Sequence, residues 1–307
     1  MEEPCAYYDR QREYCHPLYK HSLNVSRSIE YLFRDRLEVE PPAARIPGLT
    51  NRLLEAGIIA GVLHDVGKAS IHYQKRVRIG RPGGFQYHEY VGALVLSEAS
   101  GLLMDEMKLE ESALLLLAAG AVARHHAAMK NRHPTILLGG AILGGISQGI
   151  GGERKRLADE LYRAASSLDQ SLVEKGVPLE LLPPWAVEPV LEALEEITYL
   201  SRDAMISTLK ESIPARRLAE KIIGGASNQL IKNSSRAKAT SIVIGLLYRL
   251  TGSLITSDIL VAGCERRPGE GPEKAYAKSW MRELMLGHDA VEACTRLVGE
   301  AFSHNPT

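Results

Sequence analysis

The chain has 307 residues, 45% of them hydrophobic, with 37 basic residues balanced against 37 acidic ones. That length buries a substantial core, and a net charge of zero excludes a global electrostatic footprint for nucleic acid, membrane or an acidic partner, so any polyanion must be met locally. No uninterrupted apolar run reaches about 18 residues, and the opening MEEPCAYYDR lacks the basic, apolar, small-residue progression of a signal peptide. A soluble, cytoplasmic protein with no membrane role is expected. Cys5, Cys15, Cys264 and Cys294 fit no zinc knuckle or redox pair and read as small apolar residues in a reducing compartment, with a Cys5 to Cys15 bridge as the alternative. A low content of Asn and Gln points to a thermophile, whose intracellular proteins can keep disulfides.

Taken in chain order, the first element is a helix carrying Leu18, His21, Val25, Ile29 and Leu32 at helical spacing. Pro41, Pro42, Pro47 and Gly48 separate it from a second helix, expected from about Asn51 through His64 and Asp65 to about Gly67. A basic loop, QKRVRIGRPGG, follows. A helix starting near Tyr87 covers His88, and ESALLLLAAGAVARHHAAM is a buried helix ending in His125 and His126. Between about His133 and Pro189 the composition shifts to a Gly-rich stretch at 139–152, a charged helix and the Pro-rich VPLELLPPWAVEP. This reads as an insertion or subdomain, at about 133–235, within a single domain spanning 1–307. Further helices are expected at roughly 187–212 and 215–231, and a long apolar one from about Arg236 to Gly263 delivers Asp258; the tail after Arg267 is charged and peripheral. With no train of alternating strands, the fold class is all-α, a helical bundle with a central helical and Gly/Pro-rich insertion.

The segment GVLHDVGKAS offers a divalent ion two unlike ligands, His64 and Asp65, with Lys68 three and four residues on and able to point into the same cleft. His21 on an apolar stripe reads by itself as a satisfied core histidine. The recurrence of semi-buried imidazoles at His64, His88, His125 and His126 changes this, because each needs a hydrogen bond or an ion, and a shared ion site accounts for them together. Five imidazoles with Asp65 and Asp258 are too many for one ion. Mixed imidazole and carboxylate ligation suits iron, manganese, nickel, cobalt or zinc, with magnesium less natural.

His21, the pair His64-Asp65 and the distant Asp258 resemble the HD superfamily of metal-dependent phosphohydrolases. Adding Lys68, the Tyr73-Gln74 pair in KASIHYQ, FQYHEYVGA around His88, ARHHA around His125 and His126, and LTGSLITSDILVAG around Asp258, the chain is similar to the HD nuclease of type I CRISPR interference, from about His16 to Gly263 apart from the middle. The resemblance implies an HD-domain bundle with two divalent ions (Mn, Co, Ni, Fe or Mg). One would be held by His21, His64, Asp65 and Asp258, the second by Asp65, His88, His125 and His126, with Asp65 bridging. Asp65 and Lys68 would be catalytic, the substrate single-stranded DNA with RNA as a further candidate, and the setting antiviral defence. The chain would be a freestanding subunit working beside a separate CRISPR helicase and an RNA-guided surveillance complex.

Two divalent ions set against Asp65 and Asp258 alone leave an excess of positive charge that attracts phosphate, and Lys68 adds to it. Lys75, Arg76, Arg78 and Arg81 after the motif, and Arg124, Lys130 and Arg132 beside the His doublet, give a strand a path, or are solvated loops. Tyr73, Phe85 and Tyr87 would stack bases or serve the core. Gly61 to Ala69 is no phosphate loop, because the glycine spacing is one residue too long and Ala69 replaces the hydroxyl. His16, His72, His133, His288 and His304 match no ligand position.

Two other functions compete. One is an HD phosphohydrolase of nucleotides or cyclic dinucleotides, disfavoured because Ala127 and Ala128 follow the doublet where the cyclic-dinucleotide enzymes have an acidic residue and Gly-Tyr-Pro. The other is a non-catalytic, metal-braced subunit of a CRISPR complex. Since imidazole binds metal only when neutral, occupancy is expected to fall below about pH 6.5.

Overall fold

The bundle is laid down around α1 (Leu18–Glu38), whose stripe of Leu18, His21, Val25, Ile29, Phe33 and Leu37 is buried as the helical period dictates. The computed structural model describes residues 3–9, 14–38, 49, 51–78, 87–126, 158–225, 236–266 and 294–299. α1 packs against α2 (Leu53–Leu63), and the chain then continues through a 3₁₀ turn (Val66–Ala69) into α3 (Ile71–Arg78). α4 (His88–Asp105) and α5 (Leu109–Val122) pack on each other, α5 against α2 and α4 against the 3₁₀ turn. Helical residues 158–165 (α6) lead to α7 (Gln170–Gly176), α8 (Pro184–Glu196), α9 (Arg202–Ser212) and α10 (Ala215–Gly225). α11 (Arg236–Arg266) closes the bundle against α1, α2, α5 and α10. The fold is the all-α bundle expected.

Several expectations change at their edges. Short strands β1 (Cys5–Asp9) and β2 (Tyr14–Pro17) pair antiparallel at the N-terminus, too short for alternation to register in the sequence. The His-Asp pair lies beyond the end of α2, at the break into the 3₁₀ turn, where Asp65 takes φ −110° and ψ 6°. The QKRVR part of the expected basic loop is the second half of α3. The helix expected over 187–212 is two helices, because Ser201 caps α9 by accepting the amide of Ala204 at 3.2 Å. Leu161, Leu172, Val190, Leu209 and Ile222 belong to the same core cluster as α1, α2, α4 and α5. The expected Gly-rich connection at 139–152 and the tail from 267 to 293 lie outside the described residues. By length and composition α11 would suffice to cross a membrane, although no uninterrupted apolar run in it is long; its Val243, Leu246, Leu247, Leu250, Leu254 and Val261 pack into the bundle core.

The cysteines are not free. Cys5 bonds Cys15 across the hairpin, and Cys264, near the end of α11, bonds Cys294. The reading of all four as small apolar residues is thereby corrected; the Cys5 to Cys15 alternative is the one found, and the Cys264–Cys294 bridge could not be read from spacing because it depends on where the end of α11 brings the thiol. The hairpin is tied to the core by Gln74, whose amide accepts Cys5 N at 3.0 Å and donates to Cys5 O at 3.1 Å and to Lys68 O at 2.7 Å.

Gly67 lets the 3₁₀ turn meet the start of α4: a Cβ there would lie 2.5 Å from the carbonyl oxygen of His88. Backbone cannot yield as a flexible side chain does, so Gly67→Ala is expected to cost about 1–3 kcal/mol and to push His88 away from Asp65. Urea denaturation reads the first effect, and an unchanged midpoint would contradict the close approach. The disulfides span sequence separations of 10 and 30. Loop-closure entropy assigns them about 3 and about 4 kcal/mol, so serine replacement of each pair should lower the melting temperature, the Cys264–Cys294 pair more.

Candidate metal centre

Five segments deliver the polar side chains to one point. α1 supplies His21, the α2-to-3₁₀ junction His64, Asp65 and Lys68, the first residue of α4 His88, the turn after α5 His125 and His126, and α11 Asp258. Tyr87, just before His88, holds the left-handed φ of 65°, an uncommon conformation for a bulky residue that fixes how α4 begins.

The ligand-type atoms of Asp65, His88, His125 and His126 lie within 4.8 Å of one another, as do those of His21, His64 and Asp258. Asp65 stands between the two groups. Its Oδ2 is 3.5 Å from His21 Nε2 and 3.4 Å from His64 Nε2, while its Oδ1 is 2.7 Å from His88 Nε2 and 3.8 Å from His125 Nε2. Asp258 Oδ1 is 3.2 Å from His21 Nε2, and His126 Nε2 is 3.1 Å from His88 Nε2. All seven residues singled out in the sequence therefore converge. Lys68 Nζ is paired with Asp65 Oδ2, so the lysine compensates the central carboxylate.

The rings are prepared as ligands. His64 Nδ1 lies 2.8 Å from the carbonyl of Gly61 and His125 Nδ1 2.7 Å from that of Val122, the same three-residue reach backwards in both cases. Donating Nδ1–H to a carbonyl leaves the lone pair on Nε2, which in both rings is buried with no hydrogen-bond partner among the described residues. An orphaned buried polar atom costs about 1–3 kcal/mol, a cost that a bound cation would remove. The donor set fits a divalent ion.

Electrostatics divides the histidines. Burial pushes His64 down to about 4, against the opposing charges of Asp65 and Asp258, and with the neighbouring rings it also lowers His126. His21 is the reverse: burial favours the neutral ring, but Glu265, Asp258 and Asp65 together outweigh it and raise the ring to about 10. Burial alone would raise the acids, yet Lys68 and the rings hold Asp65 below the usual carboxylate range, and His21 does the same for Asp258.

Residues not singled out in the sequence complete the site. Glu265 is buried with Oε2 2.8 Å from His21 Nδ1 and 3.1 Å from His16 Nε2, and its Oε1 accepts Asn24 Nδ2 at 2.8 Å. Glu89 is buried 3.6 Å from His88 Nδ1. Glu265 was findable, since it lies seven residues, two helical turns, past Asp258 on the same face. It also reduces the positive excess that Asp65 and Asp258 alone would leave around two ions.

The expected strand path is revised. Arg124 is buried and donates to the carbonyls of Gly120 and Ile213, joining α5 to the end of α9; burial lowers it to about 10. Arg76 pairs with Glu160, which His72 also meets at 3.1 Å. Tyr73 is fully buried in the core, while Tyr87 is only partly covered. Lys75 is exposed on α3; Arg81, Phe85, Lys130, Arg132, His133, His288 and His304 lie outside the described residues, as does the side chain of Arg78. His16 is a core histidine.

A family model described as Cas3, HD domain, matches residues 6–170. The matched stretch takes in His21, His64, Asp65, Lys68, His88, His125 and His126 and stops short of Asp258 and Glu265. No curated protein and no solved structure matches the chain. With more than half its length matched and the His-Asp centre inside the match, the chain belongs to the Cas3 HD family, the metal-dependent HD nucleases of CRISPR systems.

Proposed function

We propose that the protein is a two-metal nuclease that hydrolyses phosphodiester bonds of single-stranded DNA during CRISPR interference, in the cytoplasm, beside a separate helicase and an RNA-guided surveillance complex. His21, His64, Asp65 and Asp258 would hold one ion, and Asp65, His88, His125 and His126 the other. The observation that carries this reading is the pair of buried Nε2 atoms on His64 and His125, both turned toward Asp65 without a hydrogen bond among the described residues, each fixed as a lone-pair donor by a carbonyl behind it.

Bound there, divalent ions supply Lewis-acid polarisation of the phosphodiester and activation of the attacking water. The chain's own residues do the rest. Asp65 directs one oxygen to each donor group and so sets their separation. Lys68, whose side chain is 12% exposed, and Asp258, at 16%, form with the partly covered His126 the open side of an otherwise sealed cluster. A phosphate arrives over them, and Lys68 turns from Asp65 to neutralise it. The apolar walls exclude water and strengthen each of these interactions.

The purified chain loaded with manganese, cobalt or nickel is expected to degrade single-stranded oligonucleotides, and Asp65→Ala or His64→Ala to reduce the rate at least about 100-fold. A panel of nucleotides and cyclic dinucleotides runs in parallel. Consumption of the panel with oligonucleotides intact would favour a small-molecule phosphohydrolase. Loss of helicity on metal removal, without turnover of any substrate, would favour a bracing role.

Metal binding is also expected to depend on pH above the ordinary histidine range. The metal-free His21 keeps its proton up to about pH 10, and an ion must displace it, so affinity rises with pH, by up to about tenfold per unit between about 6.5 and 10. His64, lowered to about 4, is already neutral throughout. Cobalt titrations across this range, with calorimetry in buffers of different ionisation enthalpy, read both the slope and the released proton. Affinity flat from about pH 6.5 to 9 would contradict His21 ligation.

A further inference from the structure

We propose that Glu265 is a positioning residue that orients His21 and selectively strengthens the ion site containing His21, His64 and Asp258. The inference rests on the metal sites proposed above. His64 and His125 each lean on a neutral backbone carbonyl, whereas His21 leans on a carboxylate, with Nδ1 2.8 Å from Glu265 Oε2. A carboxylate behind a ligating imidazole fixes which nitrogen carries the hydrogen and makes the other a stronger donor. With Nδ1–H committed to Glu265, Nε2 faces Asp258 at 3.2 Å and Asp65 at 3.5 Å.

Glu265 is itself held on every side. Asn24, one turn beyond His21 on α1, donates to Oε1 at 2.8 Å, and His16 meets Oε2 at 3.1 Å. His16 stacks on Tyr7 with ring centroids 4.8 Å apart. Both flanks are tethered covalently: Glu265 directly follows Cys264, bonded to Cys294, and His16 directly follows Cys15, bonded to Cys5. A carboxylate clamped in this way serves a neighbour whose direction matters. A buried pair that merely filled the core would need no such aim.

The test is a cobalt titration of the full chain followed by visible absorption, with metal-free melting curves as the check on folding. The wild type is expected to take up two ions. Glu265→Ala should weaken one of the two uptake steps by about 10- to 100-fold and leave the other unchanged, and Glu265→Gln, which keeps a hydrogen-bond acceptor, should recover part of that loss. His126→Ala should weaken the opposite step, which assigns the two. A Glu265→Ala protein that binds both ions as tightly as wild type, or loses both in parallel, overturns the positioning role while leaving the metal sites standing. If Glu265→Ala does not fold, Glu265→Gln carries the test, and wild-type affinity at both steps overturns the role. A wild-type chain that takes up no cobalt overturns the metal sites and this role together.

Discussion

Asp65 carries a carboxylate into the interior with 1% of its side chain exposed, and burying an uncompensated charge is among the costliest things a fold can do. The surroundings answer that cost from several directions. Lys68 returns from the next turn, His21 and His64 approach one oxygen, and His88 and His125 the other. The backbone is bent to permit it. α2 stops at Leu63 so that His64 and Asp65 fall at a break, Gly67 lets the turn touch the beginning of α4, and Tyr87 accepts a left-handed conformation before His88. These are local departures from ideal geometry concentrated at the site, as expected where function sets the constraint.

Outside this ring of ligand-type atoms lies a layer whose work is direction. Gly61 and Val122 present carbonyls to His64 and His125, Glu265 presents a carboxylate to His21, and Gln74 links the Lys68 carbonyl to the N-terminal hairpin. Through Gln74 and the two disulfides, the hairpin and the end of α11 become part of the support of the centre. Stability and site geometry are thereby coupled: what loosens the hairpin also frees the turn that carries Lys68.

The helices and the seven convergent residues were legible because both leave marks of short range. Apolar spacing on α1 is a property of the chain itself, and an imidazole on an apolar stripe raises the question of its partner wherever the stripe packs. What was not legible depends on tertiary proximity. The strands are four and five residues long, Cys264 meets Cys294 only because α11 ends where it does, and Arg124 reads as a phosphate ligand until α9 places the carbonyl of Ile213 against it. Glu265 is an intermediate case: its helical phase with Asp258 is in the sequence, but the meaning of that phase required knowing that His21 faces it.

The distribution of burial gives the centre a direction of approach. His21, His64, Asp65, His88 and His125 are sealed, whereas Lys68, Asp258 and His126 are only partly covered. On the proposed reading, the sealed members would keep fixed dipoles around the ions in a low-dielectric interior, where they would act at nearly full strength. The open members face whatever arrives. Lys68 belongs to both sets, because the charge that makes Asp65 tolerable in the interior is, on the proposed reading, the charge an incoming phosphate would draw away. Drawing Lys68 off Asp65 would strip the buried carboxylate of one compensating cation, so a substrate that recruited the lysine would also strengthen the hold of Asp65 on ions at its two oxygens. On that reading, binding of substrate and binding of metal would be linked through this one ammonium group, and by reciprocity each would tighten the other.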